Sequence, residues 1–152
     1  MWGRRGFLSL LLVFVLAGAT GLLGVRSRTE TVRAGGYTLS LEHAVVARAG
    51  LDVPFQVTVR RPGGFGSSLQ LAITGDYFDI YETQGFNPDA SAATRDAHTL
   101  YLTFDAPAGD TFTMSYDAYI QPSSQLGRSG TISVESHGRA LASLDFTTHL
   151  LP

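Results

Sequence analysis

The alternation of apolar and polar side chains from residue 36 onward constrains this chain more than any other feature. Tyr37, Leu39 and Leu41 alternate with Thr38, Ser40 and Glu42, and after a break at "RAGLD" Val53, Phe55, Val57 and Val59 repeat the pattern. A period of two sends successive side chains to opposite faces of an extended backbone, and the β-branched and aromatic residues at the apolar positions favour strands. No stretch of this region sustains a helical period.

Turn chemistry divides the rest. In "RPGGFGS", residues 61–67, proline fixes φ and the glycines permit positive φ. Leu69, Leu71 and Ile73 mark a third strand, and Phe78 with Ile80 a short fourth. A long loop over residues 82–97 leads to Leu100, Leu102 and Phe104. "APAGD" then precedes Phe112, Met114, Tyr116, Ala118 and Ile120, and "QPSSQLGRSG" precedes Ile132 and Val134. "HGR" opens a last strand through Leu144 and Phe146. Seven or eight short strands without intervening helices predict an all-β fold, an antiparallel sandwich of two sheets about 10 Å apart. A closed barrel is the alternative.

"LYLTFDAPAGDTFTMSYDAYI", residues 100–120, resembles the fifth strand, corner and sixth strand of the immunoglobulin and fibronectin type III superfold. Pro107, Gly109 and Thr111 fall near the corner positions of that pattern, and Phe112 stands where its tyrosine would be. The cysteine and tryptophan signature of antibody domains is absent, the one tryptophan being Trp2. The resemblance implies an immunoglobulin-like sandwich and no particular chemistry.

The first thirty residues are different material. Trp2-Gly3-Arg4-Arg5 precedes an apolar run over residues 7–25 whose only polar side chains are Ser9 and Thr20. At about 1.5 Å per residue a helix of that length reaches about 28 Å, close to the hydrocarbon thickness of a bilayer. Two readings follow: an uncleaved transmembrane anchor, or a secretory signal cut after the small residues Ala17-Gly18-Ala19. "RRGFL", residues 4–8, resembles the twin-arginine export signal, but a Sec-type segment whose arginines keep the N-terminus inside is the preferred reading. Either route predicts a boundary at residue 30, with residues 31–152 as one extracytoplasmic domain. The protein is then single-pass in the cell membrane, or exported after cleavage near Ala19.

Seven arginines face twelve acids in residues 31–152, a net charge of −5. That balance offers no electrostatic footprint for a phosphate backbone and would be repelled weakly by an anionic membrane surface, so nucleic acid is an unsuitable partner. The chain has no cysteine, which excludes thiol catalysis and thiolate metal sites and leaves stability to the core. Neither "GFGSS" nor "GRSG" has the order of a serine nucleophile elbow. His43, His98, His137 and His149 lack the spacing of a metal site and read as exposed turn or strand-end residues. No cofactor motif occurs, and the sequence reads as a non-enzyme.

"DYFDIYETQGFNPDAS", residues 76–91, carries the candidate sites. With Phe78 and Ile80 turned inward on a strand, Tyr77 and Tyr81 would face outward, Phe86 would sit at a loop tip, and Tyr119 would join them in a contact surface; in the alternative, Phe86 folds back to cover the open edge of the core and the tyrosines lie flat on the sheet. A calcium ion would need Asp76 or Glu82 with Asn87 and Asp89. The resulting expectation is a membrane-tethered interaction module whose partner is another envelope protein, reached through residues 82–97 and 121–130. A carbohydrate- or calcium-binding sandwich, and a purely structural exported accessory, are the alternatives.

Overall fold

The computed structural model describes residues 2–19, 24–82 and 85–151. It opens with helix α1 (Trp2–Ala19), whose residues from Gly3 are exposed apart from a half-buried Ala17. Among the described residues no helix is long and apolar enough to cross a membrane; residues 20–23 of the apolar run lie outside the described residues.

The body is all-β. Strand β1 (Arg26–Ala34) turns at Gly35-Gly36 into β2 (Tyr37–Arg48), a long strand that buries Tyr37, Leu39 and Leu41 in turn. The short β3 (Asp52–Val53) precedes β4 (Phe55–Arg60), and β5 (Ser68–Thr74) follows the glycine-rich turn. Beyond a 3-10 helix at Gly75–Ile80 lie β6 (Phe86–Asn87), β7 (Ala92–Arg95) and β8 (Thr99–Asp105). The chain ends through β9 (Thr111–Tyr116), β10 (Ala118–Tyr119), β11 (Arg128–Ser136) and β12 (Arg139–Leu151).

Ten of these strands make one sheet in the order β6-β9-β4-β2-β12-β11-β5-β8-β7, with β1 added to β2. Its pairs are antiparallel except at one place, where His149, Leu150 and Leu151 of β12 run parallel to Val46, Ala47 and Arg48 of β2. The sheet curls there, so that its two arms face each other as in a sandwich. Leu41, Val57, Phe112 and Met114 of one arm and Leu71, Leu102, Phe104 and Ile132 of the other are buried in a common core. Phe104 and Phe112 meet across it with ring centroids 4.7 Å apart.

Several expectations need correction. Twelve strands occur among the described residues where about eight are expected, and one strand pair is parallel. β1 starts at Arg26, ahead of the boundary expected at residue 30: most of its residues are exposed, so its polar sequence carries no alternation to detect. The expected fourth strand is the 3-10 helix, and the long loop holds β6 and β7.

Candidate functional site

The stretch 75–82 is built by what it must bury. In "DYFDIY" the aromatic and aliphatic residues Tyr77, Ile80 and Tyr81 recur at three- and four-residue spacing, which a strand would scatter over both faces but a tight helical turn gathers on one. All three are buried, Tyr77 completely and Tyr81 at 2% exposure. The outward orientation expected for these two tyrosines is therefore wrong. Phe78 is partly buried against the same core.

Once inside, the phenols need partners. Tyr77 Oη lies 2.8 Å from Tyr81 Oη and 2.8 Å from Thr148 Oγ1, and the threonine hydroxyl donates to the Ala44 carbonyl at 2.5 Å. With one proton per hydroxyl, that last bond fixes the direction of the chain: Tyr81 donates to Tyr77, Tyr77 to Thr148, and Thr148 to the backbone. Burial pushes both phenols above their ordinary value of 10. These bonds tie the 3-10 helix to the β2–β12 junction.

The acids of the stretch serve the adjoining corner. Asp76 accepts hydrogen bonds from Arg95 at 3.0 Å and His98 Nδ1 at 2.9 Å, and the His98 bond is the main cause that holds its carboxyl below 3.8. Asp96 accepts from the backbone N–H groups of Thr99 at 2.8 Å and His98 at 3.1 Å, which lower its carboxyl, and from the Tyr101 hydroxyl at 3.1 Å. Gly75 N–H closes the corner on the His98 carbonyl at 2.7 Å.

What remains open to solvent is a cleft of about 390 Å³ over an aromatic floor of Phe78, Tyr81, Phe86 and Tyr116, with Asp79, Arg95 and Gln121 around it. Phe86 stands 5.5 Å from Phe78 and 4.8 Å from Tyr116 between ring centroids, held by pairing of β6 with β9. Phe86 is thus half-buried at a sheet edge and packed against the core, as the alternative reading expects, and does not project from a loop tip. Gln121 Nε2 donates to the Tyr81 carbonyl at 2.6 Å. Tyr119, on β10 opposite Asp52, is half-exposed and is not among the residues lining this cleft. Phe78, Tyr116, Arg95 and Gln121 are the lining residues that sequence reasoning missed; none lies at a motif, and only strand pairing assembles them.

The calcium candidates have different surroundings. Asp76 is already occupied by a guanidinium and an imidazole, Glu82 pairs through its backbone with Tyr119 and Tyr116, Asn87 lies on β6, and Asp89 lines a separate cleft with Pro88 and Asp105. Among the described residues no group of three or more histidines and acids could hold a metal ion. Of the histidines, His98 and His149 are exposed and His137 sits in a turn at φ 52°. His43, in contrast to expectation, is 1% exposed on the inner face of β2, with Nδ1 3.0 Å from the Ala44 carbonyl and its ring 5.4 Å from Phe146. In comparisons with known proteins, no family model matches this chain and no curated protein matches it.

Proposed function

We propose that this protein is a membrane-tethered recognition module without catalytic activity. The apolar run through α1 to Val25 holds it in a membrane, and an extracytoplasmic immunoglobulin-like sandwich binds a protein of the same envelope. The observation that carries the reading is the bare apolar surface of α1, where Leu10 and Phe14 are 71% and 73% exposed. Surface of that kind and extent is stable only where something other than water covers it.

Strand order supports the immunoglobulin-like assignment. β2, β4 and β9 are successive neighbours, as are β5, β11 and β12, the arrangement of strands A, B, E and C, F, G in that fold. Recognition is assigned to the aromatic cleft, since apolar rings with a few polar groups around them make a contact site. A sugar is the second reading, favoured by the same rings beside Arg95, Asp79 and Gln121.

Replacing Phe86 with a photo-crosslinking phenylalanine in the full chain, in cells, tests the proposal against the same replacement at Ala108 on the far end of the body. A discrete cross-linked protein from position 86 and none from 108 is the expected result. No product from position 86 in membrane fractions removes the cleft as a protein-contact site, and a thermal shift with oligosaccharides then decides for or against the sugar.

A further inference from the structure

We infer that the body does not hang free of its tether but rests one corner on the lipid surface, the corner formed by the ends of β1, β2, β11 and β12. The inference builds on the tether proposed above. Strand registers bring to one end Arg26 opposite Val46, His149 alongside Val46, Leu151 alongside Arg48, and Arg128 opposite Thr148. Leu126 lines a shallow cavity there with His149 and Leu150, and Leu51 follows three residues after Arg48, its carbonyl accepting from Ile120 N–H at 3.0 Å.

Two independent features mark this end. Outside α1, the only exposed large apolar side chains among the described residues are Leu51, Leu126 and Leu151, at 38%, 81% and 42%, and all three are here. Arg26, Arg28, Arg48 and Arg128 also gather here, Arg48 half-buried with its Nε covered, and none forms an ion pair with a carboxylate among the described residues. Leucines set among arginines are the composition that beds into an interface, the apolar groups at the acyl boundary and the cations among anionic headgroups.

Continuity of the chain supplies the partner. Six residues, 20–25, separate α1 from β1, and the seven steps from Ala19 to Arg26 reach at most about 25 Å whatever their conformation. Arg26 is thereby kept close to the bilayer that α1 enters. The acids of the same end oppose a flat landing: Asp76, Asp79 and Asp96 lie beyond β11 at the β5–β8 junction, Asp52 lies on β3, Asp117 precedes β10, and Glu30 and Glu42 stand next to Arg28 in the β1–β2 pair. Repelled by anionic lipid, they tilt the body onto its basic corner and leave the aromatic cleft clear.

The absence of native cysteine makes the test direct. The full chain, labelled with one fluorophore at Gln125→Cys or at Ala108→Cys, is reconstituted in vesicles containing anionic lipid and a headgroup-nitroxide quencher. Quenching at position 125 about twofold or more above that at 108 is expected, and it should weaken when Arg26, Arg28 and Arg128 are changed to Gln. Equal quenching at 125 and 108, or no effect of the arginine changes, overturns the docking. A label at Leu12→Cys with a deep-chain quencher reads the tether separately. Quenching at 12 without 125 removes the docking alone, and quenching at neither removes both. Quenching at 125 without 12 removes the tether but leaves the surface contact.

Discussion

Tyr77 and Thr148, 71 residues apart in the chain, share a 2.8 Å hydrogen bond in the fully buried interior. Because Thr148 spends its own proton on the Ala44 carbonyl, each hydroxyl in the relay has a distinct place, and the three substitutions that remove one hydroxyl are unequal. Thr148→Val strands the Tyr77 donor, and Tyr77→Phe strands that of Tyr81; each is expected to destabilise by about 1–3 kcal/mol. Tyr81→Phe removes only the terminal donor and should cost about 0.5–1.5 kcal/mol. Urea denaturation of the three variants checks the order. A Tyr81→Phe protein less stable than both others would reverse the donor direction assigned here.

The same burial predicts an alkaline limit. Desolvation raises Tyr77 and Tyr81 above 10, so the folded state keeps both phenols neutral where the unfolded chain would ionise them. Their contribution is complete below pH 10 and declines as the pH rises above it. Ultraviolet titration should show two of the six tyrosines ionising only together with the loss of β-sheet circular dichroism. Smooth titration of all six without unfolding would contradict the burial.

At the acid side the prediction concerns Asp76 and Asp96. Their carboxyls are held below 3.8 by hydrogen bonds, from His98 first in one case and from the Thr99 backbone first in the other. A lowered carboxyl stabilises the fold above its ordinary value and loses that effect as pH falls through the lowered one. Carboxyl-carbon NMR should therefore give midpoints below 3.8 for both. His98→Ala should raise the Asp76 midpoint more than Arg95→Ala does, and the reverse order would demote the histidine.

Period two was legible wherever a strand buries one face: Leu39, Leu41, Val57, Val59, Leu71, Phe104, Met114 and Val134 all lie in the core. It failed at "DYFDIY" for a physical reason. Phe78 and Ile80 fit an alternating template, but Asp76, Asp79 and Glu82 at intervals of three, with Tyr77, Ile80 and Tyr81 between them, match the three-residue turn of a 3-10 helix. The interval was visible; read as a strand, it put Tyr77 and Tyr81 on the wrong side. The cleft was less accessible still, because Phe78, Tyr116 and Gln121 meet only through the pairings of β6 with β9 and of Tyr81 with Ile120. Nor does local sequence announce β1, whose nine residues are mostly exposed and gain their order from β2.

Gly127 tests how the loop 121–127 is fastened. A Cβ at this position would fall inside the Thr148 carbonyl group, and the obstacle is backbone, which cannot swing aside as a side chain could. No positive φ is involved, so the requirement for glycine is one of space alone. Gly127→Ala must push the entry to β11 away from β12 and weaken the Arg128–Thr148 pairing next to it, an overpacking strain of about 1–3 kcal/mol. In a chain of this length that lowers the melting temperature by roughly 2–10 °C. Ser123→Ala, an exposed change in the same loop, should stay within about 0.5 kcal/mol of the parent. If both variants melt with the parent, the loop does not lie against β12, and Leu126 and Arg128 lose the placement that sets them on the lipid-facing corner.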